Sequence, residues 1–270
     1  MTAHLSMFPR KTESGFRGAF TLLEMLVVIG IIGILLILTV PAVTGIIQSS
    51  RLTAAGDQVL SLFSTAQQIA SVEGRPIEVR FIKHQMQGGL YKPHYQTVLL
   101  LRNYQPGEYL PDGEQVPQSG SGGGAGQPWS VLAAEPVKLP QSIVISDSAT
   151  LGASSLMTST TPKLTYAAGD SAQSQMMVYK GGKMVALTST NSPFMAEAQA
   201  TGGEFCSIFI RADGTSLPQL PATGTVPLQW YVTLVDEKTE EQATSFADVH
   251  NFYCIQIDPI NGHATFYRPE

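Results

Sequence analysis

FTLLEMLVVIGIIGILLILTVPAV, residues 20–43, is the stretch on which the fold turns. From Met25 to Leu38 it contains no polar residue, and Thr39 to Val43 extend it with only mild interruption. As an α-helix it spans roughly 36 Å at about 1.5 Å per residue, which predicts a crossing of a bilayer core of about 30 Å. Arg10, Lys11 and Arg17 precede it, and the first cation after it is Arg51. That asymmetry predicts a cytoplasmic N-terminus. Glu24 does not suit a plain anchor, because a carboxylate near the head of a membrane helix costs free energy unless it is paired or protonated. One reading has Glu24 snorkel to the headgroups; the other gives it a partner.

Downstream the periodicity changes. Leu52, Ala55, Val59, Leu62, Phe63, Ala66, Ile69 and Ala70 recur at steps of three and four, with Arg51, Asp57, Gln58, Gln67 and Gln68 between them. This predicts an amphipathic continuation of the helix over 46–73, one face docked on the protein's own sheet. Gly74 and Pro76 end it. PIEVRFIK (76–83) alternates apolar and polar residues and predicts a half-buried strand. Further strands are predicted at Tyr95–Tyr104, from Ser142, in MMVYKGGKMVAL around a Gly181-Gly182 turn, in EFCSIFIRADGTS, in LQWYVTLVDE, and in a closing hairpin about Pro259 to Gly262. Residues 105–128 read as a flexible insertion, with Asp112-Gly113 in a turn and a Gly/Ser tract that lacks the Lys-Ser/Thr end of a phosphate-binding loop.

Composition narrows the function classes. The net charge of −5 gives no basic surface for nucleic acid, and charged residues are 14%, well below the quarter or so usual in soluble domains. His4, His84, His94, His250 and His263 share no metal-ligand spacing, so no metal site and no cofactor are expected; nor is a catalytic constellation, so the chain is not read as an enzyme. The acidic residues Asp236, Glu237, Glu240, Glu241 and Asp248 read as a solvated loop, with a calcium site at a strand connection as the lesser alternative, and Arg51, Arg75 and Arg80 as solvated face residues in preference to the flanks of a groove. Cys206 and Cys254 pair only if their Cβ atoms meet, which sequence leaves open.

Arg17-Gly18-Ala19-Phe20-Thr21-Leu22-Leu23-Glu24-Met25-Leu26 resembles the processing and methylation motif of type IV prepilins and type II secretion pseudopilins. The resemblance implies a basic leader (1–19), removal of that leader by a prepilin peptidase, and N-methylation of the new first residue, Phe20. Ala19 stands where the family usually has Gly. Cutting after Gly18 restores the Gly but makes Glu24 sixth; cutting after Ala19 keeps Glu24 fifth and is preferred. Pro41, 21 residues after Phe20, falls at the family's proline. The passage from Arg51 to Phe81 and the strands from 204 to 267 are similar to H-type minor pseudopilins and FimT-like pilins.

The combined expectation is an α+β pilin fold: a long N-terminal helix (transmembrane over 22–43, amphipathic over 46–73) packed on an antiparallel β-sheet domain, 74–270. The resemblance implies a minor structural subunit of a type II secretion or pilus-like filament, held in the bacterial inner membrane by a single pass with its domain in the periplasm. Its partners would be like subunits and the prepilin peptidase/methyltransferase. The amine of Phe20 would pair with Glu24 of a neighbour, while Pro41 loosens the helix. The alternatives are an extracytoplasmic binding domain released by an ordinary signal sequence cut near Val40 and Ala42, or one held by an uncut single-pass anchor.

Overall fold

The computed structural model describes residues 20–84, 93–117, 129–148, 151, 155–158, 164–165, 175–187, 192, 204–218 and 229–269. The chain forms two units, Met1–Ile47 and Gln48–Glu270. Helix α1 covers Leu22–Glu73, with side chains described over 22–37 and 45–73. Two short helices follow among the described residues, α2 (Ser155–Thr158) and α3 (Glu237–Gln242). The strands are β1 (Ile77–His84), β2 (His94–Tyr104), β3 (Trp129–Leu132), β4 (Val137–Lys138), β5 (Ile143–Ile145), β6 (Leu164–Thr165), β7 (Gln175–Lys180), β8 (Lys183–Ala186), β9 (Glu204–Ile210), β10 (Ser216–Pro218), β11 (Trp230–Asp236), β12 (Phe252–Ile257) and β13 (Ala264–Tyr267).

The expected fold class and localisation need correction. Among the described residues no helix is long and apolar enough to cross a membrane. The described apolar side chains at the start of α1 run from Leu22 to Ile37 and include Glu24. Glu24 also places a carboxylate in the first turn of α1, which a membrane span disfavours. Neither a transmembrane segment over 22–43 nor a single pass through the inner membrane is therefore supported. The architecture is mostly antiparallel sheet, with three helices among the described residues.

The sheet runs β10-β9-β1-β2-β5-β11-β12-β13. Strand β2 is 11 residues long and pairs β1 along one edge. Its other edge is shared by β3 near Tyr104, β4 at Thr97 and Val98, and β5 at Tyr95. All pairings are antiparallel except β3 with β7. The turns sit where glycine tolerates a positive φ: Gly181 and Gly182 join β7 to β8, and Gly262 (φ 66°) joins β12 to β13. The early part of the expected insertion is folded, since Leu110 and Val116 are buried with Tyr104 and Val131; residues 118–128 lie outside the described residues.

Within the second unit, Leu52, Ala55, Val59, Phe63, Ala66 and Ala70 are buried against the sheet. Strand β1 contributes Ile77, Val79 and Phe81 to this core, and β12 contributes Tyr253, Ile255 and Ile257. Gly56 allows the closest approach. A Cβ there would stand 2.4 Å from the ring of Tyr253, whose hydroxyl donates to Asp57 at 2.7 Å. The helix ends as predicted, with Gly74 left-handed (φ 66°) and its N–H donating to the Ala70 carbonyl at 3.0 Å.

Strand β1 departs from the half-buried expectation, and Arg80 from the solvated one. Both of its faces are covered, and Glu78 and Arg80 are each 1% exposed. Arg80 Nε donates to Glu78 Oε1 at 2.6 Å, and its guanidinium lies 4.5 Å from the Phe205 ring centre. Ser207 Oγ donates to Glu78 Oε1 at 2.6 Å and Asn103 Nδ2 to Oε2 at 2.8 Å. Burial alone would raise the Glu78 pKa. The Arg80 charge and these donors outweigh it and hold the carboxyl below the ordinary carboxylate value. Arg75 also has partners, lying over the Tyr104 ring at 4.4 Å and 3.7 Å from Glu108.

Candidate functional site

The residues of the motif around Phe20 lie at the start of the first unit. Gly18 and Ala19 lie outside the described residues. Phe20 is described and 67% exposed. Thr21 precedes α1 and accepts the Glu24 backbone N–H on its Oγ1 at 3.2 Å. Thr21-Leu22-Leu23-Glu24 is thus the Ser/Thr-x-x-Glu spacing of a capping box, and Glu24 sits in the first turn, where a carboxylate is favoured by the helix dipole. This local role for Glu24 was legible in the spacing but is absent from the motif-based account. The Glu24 side chain is exposed.

Every described large apolar side chain from Leu22 to Ile37 is exposed, from Leu22 at 84% to Val28 at 45%. Successive helical residues advance by about 100°, so this run leaves no covered face. Gly30, Gly33 and Gly45 have open space where a Cβ would stand. Pro41 lies within α1, with its side chain outside the described residues.

Cys206 and Cys254 do not form a disulfide. Cys206 is on β9 and Cys254 on β12, five strand steps apart in the sheet order. At about 4.8 Å per step that is roughly 24 Å, far beyond the ~7 Å Cα limit of a disulfide. They also face opposite sides, Cys206 toward the α1 core and Cys254 toward the cluster around Phe252. Cys254 lines an apolar groove of about 290 Å³ with Leu151, Tyr231, Phe246 and Phe252. Burial pushes its thiol up, so it is a poor nucleophile at neutral pH.

Of the acidic residues read as a solvated loop, Glu237 and Glu240 are buried, Asp236 is half-buried, and Glu241 and Asp248 are exposed. Strand β11 ends at Asp236, opposite Ile143 of β5, and α3 begins at the next residue. Ser142 accepts the Glu237 N–H at 2.8 Å, and the Asp236 carboxylate caps the helix through Lys238 N at 3.1 Å. Strand β5 in turn pairs with the start of β2, placing Tyr95 opposite Ile145. The order β2-β5-β11 therefore gathers His94, Ser146, Asp147 and α3 at one end of the sheet. His94, Glu237 and Glu240 are 4%, 5% and 8% exposed.

Glu240 Oε1 accepts from Ser146 Oγ at 2.8 Å and from Asp147 N at 3.2 Å, and its Oε2 lies 3.6 Å from His94 Nδ1. Burial, with the neighbouring Asp147 charge, pushes the Glu240 carboxyl up to about 7 against the hydrogen bond from Ser146. Burial, then the charges of Glu241 and Asp236, raise Glu237 as well. Sequence reasoning marked the acidic residues of α3 but missed their meeting with His94, Ser146 and Asp147, which lie far away in the chain and share no motif with them.

Comparison with protein-family models, with curated proteins and with solved structures finds no match to this chain.

Proposed function

We propose that this chain is a pilin-like structural subunit, of the minor pseudopilin kind, in a type II secretion or type IV pilus-like filament. It acts by assembly. Removal of the leader after Ala19 frees the amine of Phe20, which is methylated and pairs with Glu24 of a neighbouring subunit. The apolar start of α1 packs against the corresponding helices of like subunits.

The observation that carries this reading is the exposure of the whole apolar run from Leu22 to Ile37. Covering a Leu, Ile or Val side chain is worth about 2 kcal/mol, so such a run strongly favours a partner of the same character. The open surroundings of Gly30 and Gly33 suit a neighbouring helix backbone, since no contact within the described chain requires glycine there. Glu24, exposed in the first turn, is available to a cation from outside the chain.

The test is a photo-crosslinking residue at Ile31 in the processed chain, in cells that make its like subunits. The expected adducts join N-terminal helices of those subunits and fall at least tenfold in a Glu24→Gln background. Adducts that never include such helices, or that are unchanged by Glu24→Gln, would refute the assembly role.

A further inference from the structure

The end of the sheet that carries α3 holds more acid than its described neighbours account for. Ligand atoms of His94, Glu237 and Glu241 lie within 4.8 Å of one another, and so do those of His94, Asp147 and Glu240. An acidic cluster alone is no site; two further observations point to a ligand. Glu237 is only 5% exposed, and its Oε1 is buried without a hydrogen-bond partner. A carboxylate desolvated in this way is costly unless a cation meets it. The second is the arrangement around His94, whose Nδ1 faces the Glu240 carboxylate at 3.6 Å. Glu240 is itself held by Ser146 and the Asp147 amide. That contact is longer than a hydrogen bond, but a carboxylate on this side of the ring favours a proton on Nδ1 and so leaves the other nitrogen to a metal.

We propose that His94, Glu237 and Glu241 bind a divalent transition-metal cation of the zinc class, with Glu240 as the positioning residue behind His94. His94 ligates through Nε2, Glu237 supplies the buried carboxylate, and Glu241, which is exposed, supplies the second at the solvent side. One imidazole with two carboxylates suits zinc and its neighbours better than calcium, which prefers an all-oxygen shell of six to eight ligands. Asp147 is not among the ligands, because its Oδ2 is held by Lys83 Nζ at 2.7 Å. The cation bridges the start of β2 to α3, tying together segments that the sheet order only brings side by side. This site is independent of the assembly reading.

The full chain, stripped with a chelator, is titrated with Zn²⁺ against a chromophoric competitor. One equivalent is expected to bind. Glu241→Gln, on the surface and safe for folding, should weaken binding at least tenfold, and Glu237→Gln should abolish it while leaving the circular dichroism spectrum intact. Excess Ca²⁺ should not displace the zinc. Absence of zinc uptake by the unaltered chain, equal uptake by both variants, or displacement by Ca²⁺ would each overturn the proposal.

Discussion

At Glu78 and Arg80 the sheet holds a salt bridge with each partner 1% exposed and every described contact to Glu78 a donor. Removing one partner leaves the other charge buried, so Arg80→Met is expected to cost about 3–5 kcal/mol, measured by urea denaturation at neutral pH. Because the Glu78 pKa is lowered on folding, the unfolded chain binds the extra proton in acid. The stabilisation is complete above the ordinary carboxylate value of 4.5 and is lost as pH falls through the lower native value. Stability should therefore drop below about pH 4.5, and Glu78→Gln should flatten that acid limb. Gly56 gives the contrasting case of a steric limit. Gly56→Ala would press a Cβ into Tyr253, which is fully buried and tied to Asp57, and should cost about 1–3 kcal/mol. Gly30→Ala meets open space and should leave the melting temperature of the isolated chain unchanged or slightly raised.

Among the elements, α1, β1 and β2 show what periodicity reveals and where it stops. The three-and-four spacing from Leu52 to Ala70 picked out the buried face of the second unit's helix, and the alternation in PIEVRFIK located β1. Alternation also assigns the polar face to water, and here that inference failed. The polar face of β1 is covered by chain distant in sequence, including Phe205 and Ser207 of β9. One clue was present: Glu78 and Arg80, two apart in a strand, share a face and have opposite charge. Helix α3, EKTEEQ, carries no apolar period, and β3 and β4 are too short to alternate visibly, so none of the three was legible. The bend that seats α3 contains Ser142 at φ 73°, a conformation that costs an L-residue about 1 kcal/mol. Ser142→Gly keeps the carbonyl that accepts the Glu237 N–H and should raise stability by up to about 1 kcal/mol, read from the denaturation midpoint.

For the molecule as a whole, sheet order determines which residues meet. It places Cys206 and Cys254 five strand steps apart, so the chain isolated under oxidising conditions should keep two alkylatable thiols once unfolded, and Cys254→Ser should leave the fold intact. It also gathers His94 with Glu237 and Glu240, residues whose separation along the chain hid their proximity. The resemblance at Phe20 to Glu24, by contrast, is carried by contiguous residues and rests on sequence alone. The structure adds its capping geometry and the exposure of the apolar run beyond it. The central claim, that this run is an assembly segment headed by an amine at Phe20 that leader removal frees, is tested most directly at the mature N-terminus. Mass spectrometry of the chain isolated from cells with and without active prepilin peptidase should find N-methylated Phe20 as the first residue only when the peptidase is present. A chain that begins at Val43, or that keeps Met1 in both cells, would contradict the account.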